Sequence, residues 1–454
     1  TGTYRHAFAS GTVPTATWAS GSTCEITGTT TTAPSGLGQS FHHFTWNCTS
    51  QTATTTVSGA LVTINGNFNI LSTGTGGSNN GLRLISSGSG TLTVGGNLNI
   101  TSSGSTDSKL DLSNGTSMTI NLSGNLNINQ IANSALLRKN AGTGTINFVK
   151  TSGTQTISNN AAGGLNASAI VFNVGNGSTT NTLQMSSDVA LNSTSTVAVL
   201  SGSSLSCGTY VLSGATSLTV NSGGTLKVGS LSGSGALAAN VTVTTTTLST
   251  GSTLEYNGAG AQFATARTVT NLTVNNGSTL TLTGNVVVNN TLTLTSGVVT
   301  TGANTLTVGV SGTAGTISGA SASSYVNGTL RLFVNNAAAP TASFAIGDAS
   351  NYTPVTVAFN GTTSGSGSLT ASTTSGAHPS LSTSGINASK LANRYWTLTN
   401  SGITGFTSYA PTFTFVSGDV IGGANTASFV VRNFTSGTWS TTTTGTLTST
   451  TSQA

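Results

Sequence analysis

The sequence predicts an all-β chain: a right-handed parallel β-helix (solenoid) set between an N-terminal cap and a C-terminal Ig-like β-sandwich. Three observations point there. Charged residues make up only 4% of the 454 positions, against roughly a quarter of an ordinary soluble chain. Thr, Val, Leu and Ile alternate with Ser, Asn and Gly in runs of strand length bounded by turn residues. One phrase also recurs almost unchanged, as NGNFNI at 65–70, GGNLNI at 95–100 and SGNLNI at 123–128.

The cap is expected over residues 1–54. This stretch holds Trp18, Phe41, Phe44, Trp46 and the adjacent His42 and His43, an aromatic density that the repeats lack. An end of a solenoid is an unpaired edge, and a distinct segment there would cover it. Cys24 and Cys48 are expected to form a disulfide, closing a loop worth roughly 3 kcal/mol and fitting an oxidising, secreted setting. Cys207, in SLSCGTY, is expected as a buried small hydrophobe. Strand alternation sends His42 and His43 to opposite faces, which argues against the two sharing one metal ion; a zinc site with Cys24 and Cys48 is the alternative to the preferred disulfide.

The β-helix is expected over 55–325. Phe68, Leu98 and Leu126 hold equivalent places, 30 and then 28 residues apart. Each is followed two positions on by Ile70, Ile100 or Ile128, so period-two alternation puts the apolar pair on one face and Asn on the other. A Gly precedes each apolar pair (Gly66, Gly96, Gly124) and reads as a bend. SLTVNSGGTLKVGS (217–230) continues the pattern around a Gly-Gly turn. NLTVNNGSTLTLTGNVVVNNTLTLTSG (271–297) reads as four short strands with Asn and Gly corners. Its expected inward set is Leu272, Val274, Leu280, Leu282, Val286, Val288, Leu292 and Leu294. Hairpins would also connect short strands, but near-identical phrases a fixed distance apart favour coiling, because a solenoid stacks like on like. At roughly 25–30 residues a turn and ~4.8 Å between stacked strands, about ten turns would make a rod near 50 Å. TINFVKTSGTQTISN (145–159) and LEYNGAGAQF (254–263) share a shape: an apolar-aromatic strand, a Gly turn, then Gln.

Over 326–454 the texture changes to seven strand-like runs bounded by turn residues, the pattern of a β-sandwich. Trp396 and Trp439 are expected to pack between sheets, with sugar stacking as the alternative role.

Chemistry is sparse. The carboxylates are Glu25, Asp107, Asp111, Asp188, Glu255, Asp348 and Asp419, and only Asp107 and Asp111 are neighbours in sequence. Glycoside hydrolysis needs two carboxylates at a set separation, so this pair is the one candidate, against a solvated loop. The histidines, His6, His42, His43 and His378, form no evident ligand set. No serine elbow or phosphate loop stands between a strand and a helix. No catalytic residue, metal ligand or cofactor is therefore expected. The formal charge of +5 is scattered, with Arg138-Lys139 the only adjacent basic pair, which argues against nucleic acid. No apolar run reaches membrane-spanning length. The opening TGTYRHAF reads as a mature or trimmed start, with a longer natural chain expected at both ends. Asn-x-Ser/Thr triplets occur often, those headed by Asn47, Asn99, Asn114, Asn166, Asn192, Asn276, Asn327, Asn351, Asn387 and Asn433 among them, and chance explains most in so Asn-, Ser- and Thr-rich a chain.

ASGSTCEITGTT and GLGQSFHHFTWNC (19–48), TLTVGGNLNI, and ANRYWTLTNSGI (392–403) resemble segments of large secreted β-solenoid surface proteins of Bacteroidota-type bacteria. Such proteins are often adhesin-like and exported by the type IX route. The resemblance touches nearly the whole chain and implies a place outside the cell, not a reaction.

The expected function is a secreted, non-enzymatic building block of an extracellular filament, with head-to-tail self-association and adhesion as its modes of contact. A monomeric surface adhesin or glycan-binding module is the alternative. A polysaccharide lyase or glycosidase on the same fold ranks third.

Overall fold

The computed structural model describes residues 2–75, 77 and 80–454. The chain is all-β with long parallel sheets, and its one described α-helix is the five-residue Ala236–Asn240. It divides into two compact units, Thr1–Ser230 with Leu237–Thr253, and Leu231–Ala236 with Leu254–Ala454.

In the first unit the recurrent phrases lie directly on one another. Strands Thr3–His6, Thr23–Ile26, His43–Asn47, Phe68–Ser72, Leu98–Thr101 and Leu126–Asn129 pair in that order, all parallel. The register aligns Phe44, Phe68, Leu98 and Leu126 in one buried column, and Trp46, Ile70, Ile100 and Ile128 in the next. Period-two alternation alone puts these residues on one face. Parallel pairing one repeat later then sets each on its own equivalent, which a hairpin could not do.

The alternate face carries amides. Asn99 Nδ2 donates to Asn69 Oδ1 at 2.8 Å, and Asn127 Nδ2 to Asn99 Oδ1 at 2.8 Å. A second, nine-stranded parallel sheet runs from Ser40–Phe41 to Thr245–Leu248. It repeats the device with Asn121, Asn147 and Asn173, linked at 2.8 and 2.9 Å. Beside that ladder, Thr91, Thr119 and Thr145 stand in register. A third, four-stranded sheet joins Thr54–Thr56, Gly81–Ile85, Ser108–Ser113 and Ala135–Arg138.

The aromatic segment is not set apart from the repeats. Phe44 pairs with Phe68 across the expected 54/55 boundary, so the first strands belong to the same parallel sheet. The aromatics enlarge the buried column: Trp18, Phe41, Phe44 and Phe68 follow each other at ring separations of 5.1, 5.1 and 5.9 Å.

The expected Cys24–Cys48 bridge is not formed; both are buried free thiols, as is Cys207. Cys24 stands opposite Phe44, and Cys48 lies four residues beyond Phe44. That offset is roughly 13 Å along a strand, well past the ~7 Å that a disulfide spans. Parallel register, which aligns equivalents, is what keeps the two cysteines apart.

Gly66, Gly96 and Gly124 lie in bends, as expected, though none has a positive φ. Close stacking is what demands glycine there: a Cβ on Gly124 would lie 2.2 Å from the Gly96 carbonyl oxygen.

In the second unit the eight residues of the expected inward set are all buried. The expected separate short strands are not seen. They merge into Arg267–Leu282 and Val286–Val308, paired in parallel with register shifts around Val269–Asn271 and Val274–Thr279. The Asn and Gly positions absorb these bulges within continuing strands rather than ending them. Gln262, buried here, accepts from the Gly258 amide at 2.7 Å. Gln155, in the related phrase of the first unit, accepts from the Lys150 amide at 3.1 Å. The shared sequence shape thus marks a shared corner, closed from inside by a glutamine.

Strand Val326–Phe333 pairs parallel with Val286–Val308 and antiparallel with Ser368–Ser375, which pairs antiparallel with Arg394–Ser401. A separate antiparallel sheet joins Thr341–Phe344, Val355–Asn360, Ser408–Thr414 and Thr451–Gln453. Trp396 of the first sheet meets Phe413 of the second at 4.9 Å.

Leu98→Ala removes one member of a fully buried column between Phe68 and Leu126. The expected loss is about 2–5 kcal/mol, measured as a fall in the urea midpoint of tryptophan fluorescence. The three thiols supply a second test. Burial pushes Cys24 and Cys207 up to about 12, and Cys48 to about 11. The folded protein should resist a thiolate-selective reagent near neutral pH, and the denatured protein, without added reductant, should take up three equivalents.

Candidate functional site

Two places in the first unit gather polar chemistry: an ionic cluster on the four-stranded sheet, and a ladder of side chains that ends at the histidine pair.

The ionic cluster is built by register. Asp111 stands between Arg83 and Arg138 on neighbouring strands and pairs with both, with Arg83 at 3.4 Å. Four residues back, Asp107 pairs with Lys109 at 2.7 Å and accepts from the Ser134 amide at 3.0 Å. The Lys109 ammonium also donates to Asn80 Oδ1 at 2.9 Å and to the Gly77 carbonyl. A polar cavity of about 480 Å³ opens here, lined by Ser105, Asp107, Lys109, Ser134 and Arg138 among others. Asp107 and Asp111 are thus not a solvated loop. They are embedded in ion pairs, and each carboxylate faces its own cation rather than the other carboxylate. Lys109 and Asp111 are buried. Sequence reasoning missed Asn80, Arg83 and Arg138 because they come from other repeats, Arg83 28 and Arg138 27 residues from Asp111.

The remaining carboxylates are engaged separately. Glu25 binds Arg5 at 2.9 Å and Asn47 at 3.1 Å. Asp188 accepts from the Val211 amide, and Glu255 from Asn275. In the second unit Arg394 is fully buried and bridges Asp419, at 2.8 and 3.1 Å, to Asp348, at 2.6 Å. Among the described residues no three His, Cys, Asp or Glu side chains gather as a metal-ligand group. Nor, among the described residues, is any helix long and apolar enough to cross a membrane.

The ladder lies along the outer side of the first sheet, one position before each buried column residue. The Thr156 amide donates to Asn125 Oδ1 at 2.8 Å. The Asn125 amide donates to Asn97 Oδ1 at 2.8 Å, and the Asn97 amide to Asn67 Oδ1 at 2.9 Å. The Asn67 amide then donates to His43 Nδ1 at 2.9 Å. His43 therefore stands where the later repeats have Asn. Its Nδ1 can accept only without a proton. Burial first, and then the neighbouring His42, hold its pKa below the ordinary imidazole value.

His42 and His43 do not point to opposite faces. His42 is a bend between Ser40–Phe41 and His43–Asn47, which breaks the alternation and brings the rings edge-to-face at 4.3 Å. Both rings crowd Gly66: a Cβ there would lie 2.6 Å from His43 Nδ1 and 2.8 Å from His42 Nδ1. His42 Nδ1 is buried without a hydrogen-bond partner, and its Nε2 lies 3.4 Å from Ser20 Oγ. Below this level, among the described strands, Thr3–His6 pairs only with Thr23–Ile26. His6 lies between the Tyr4 hydroxyl at 3.2 Å and the Ser10 carbonyl at 3.0 Å.

His378, in the second unit, sits among Tyr395, Phe434 and Trp439 at ring separations of 5.1, 4.7 and 5.0 Å. Trp439 donates to the Ser380 carbonyl at 2.9 Å, while Trp396, between the antiparallel sheets, donates to the Thr353 carbonyl. Of the glycosylation triplets, Asn99 is a ladder member and Asn276 is fully buried.

Compared with known protein families, with curated proteins and with solved structures, the chain matches none.

Asp111→Asn leaves Arg83 and Arg138 without their shared counter-charge. Breaking a largely buried ion cluster from one side should destabilise by about 3 kcal/mol or more, read as a lowered urea midpoint.

Proposed function

We propose that this chain is a secreted, non-enzymatic structural protein, a building block of an extracellular filament. In this reading the stacked sheets form a right-handed parallel β-helix and the two antiparallel sheets form an Ig-like sandwich. The observation that carries it is the run of parallel pairings that sets each strand on its equivalent, in which Thr3–His6, among the described strands, pairs on one side. An uncovered strand edge is a row of unused donors and acceptors that invites another strand. Gly2 and His6 turn their carbonyls to the neighbouring strand, so alternation directs the Thr3 and Arg5 backbone groups outward. A strand from a second copy would take that edge, and a head-to-tail contact that does not close grows into a fibre. The low charge leaves little repulsion between copies. The engagement of each carboxylate with its own partner supports a scaffold rather than a hydrolase.

A monomeric adhesin or glycan-binding module is the second reading, and the partly exposed rings of Tyr395, Phe434 and Trp439 favour it.

Thr3→Pro removes an outward N–H without removing a bond to the neighbouring strand. Sedimentation and negative-stain microscopy should show filaments of the parent chain that shorten or vanish in the variant, with circular dichroism unchanged. A parent chain that stays monomeric at high concentration would overturn the filament reading and leave the adhesin.

A further inference from the structure

We propose that His43 is an acid-sensitive latch: it closes the first turns of the parallel stack when its imidazole is neutral and releases them when it is protonated. The argument is a comparison of equivalent positions within one molecule. Register places His43, Asn67, Asn97 and Asn125 in one column. Each presents a side-chain acceptor to the backbone amide one repeat later, at 2.8–2.9 Å. Three of the four use an amide oxygen, which accepts at any ordinary pH. The fourth, at the level nearest the N-terminus, uses a ring nitrogen that becomes a donor on protonation. An imidazolium there would turn an N–H toward the Asn67 N–H, and its charge would lie beside the His42 ring, 4.3 Å away. The ring has little room to turn away, because Gly66 is packed against both histidines.

The surroundings offer the added proton no counter-charge. On the adjoining strand, Thr23 stands opposite His43. Glu25, two positions along, is held by Arg5 and Asn47. The following repeat presents Gly66, Asn67 and Asn69, none of which titrates. His42 is the remaining titratable neighbour, and it bears the same sign.

The direction of the linkage follows. The folded-state pKa of His43 is depressed, so its contribution to stability is whole above the unfolded imidazole value of about 6.5. It is lost as pH falls below that value toward the folded one, by up to about tenfold in the closing equilibrium per pH unit. The strands released first are those stacked below the latch, Thr3–His6 and Thr23–Ile26, together with Ser40–Phe41 and His43–Asn47 themselves. Acid would then dismantle the edge on which the filament reading depends. That consequence rests on the proposed function, but the latch does not, and its test needs no polymer.

The test is amide hydrogen exchange on the full chain at about pH 7.5 and about pH 5, expressed as protection factors corrected for intrinsic rates. In the parent chain, protection over residues 3–47 should fall about tenfold or more between the two conditions, while Leu98–Thr101 and Leu126–Asn129 hold. His43→Asn restores the acceptor used by the later repeats, so its protection should stay level across both conditions. His43→Leu lacks any acceptor and should be weakly protected at both. Unchanged protection in the parent chain, or a parallel fall in His43→Asn, overturns the latch. Nitrogen resonances of selectively labelled histidine in the parent chain give a check that needs no variant. An unprotonated Nδ1 on His43, titrating below the free imidazole, is expected. A His43 that titrates at or above it refutes the proposal.

Discussion

Parallel pairing in register is the constraint from which most of this structure follows. A strand laid parallel on its counterpart one repeat later meets the same kind of residue at every position. Apolar residues therefore accumulate in columns, as Phe44, Phe68, Leu98 and Leu126 do, and amides accumulate in ladders. Both arrangements reward near-repetition in sequence. The ladder also resolves a problem of solvation: a half-buried amide keeps a donor and an acceptor satisfied by its own equivalents above and below.

The same constraint explains where charge is allowed. Like residues stacked ~4.8 Å apart would repel if ionised, so a chain built this way has reason to keep its surface columns uncharged. Where charges do stack they alternate in sign, as Arg5 and Glu25 do and, up a single column of the four-stranded sheet, Arg83, Asp111 and Arg138. There the stacking of unlike residues turns a liability into an ion triad. The cavity beside it is polar, but its charges answer one another, which is why we read the cluster as part of the scaffold.

The N-terminal strands show how a repeat can be altered without leaving the pattern. Aromatic rings replace the aliphatic column, and His43 replaces the ladder asparagine, yet the pairing continues unchanged. Composition had marked this segment as a separate cap. Its difference lies in side-chain chemistry and not in backbone course, so composition alone could not place the boundary.

By itself the sequence determined the strand class, the buried faces and the equivalence of repeats, because all three are properties of local alternation and of spacing along the chain. Phe68, Leu98 and Leu126 could be aligned, and the inward residues of 271–297 named, from period two alone. Tertiary structure decided what depends on meetings between distant residues. It separated Cys24 from Cys48 by fixing the register, and brought Arg83 and Arg138 to Asp111 from repeats on either side. It showed that the bend glycines are also demanded by close stacking, since only a neighbour one repeat away reveals the missing space. It also set the rings of His42 and His43 side by side, because a bend at His42 cancels the alternation that the letters imply. Register across strands is a property of pairs, and a single line of residues carries it only where the repeats are nearly identical.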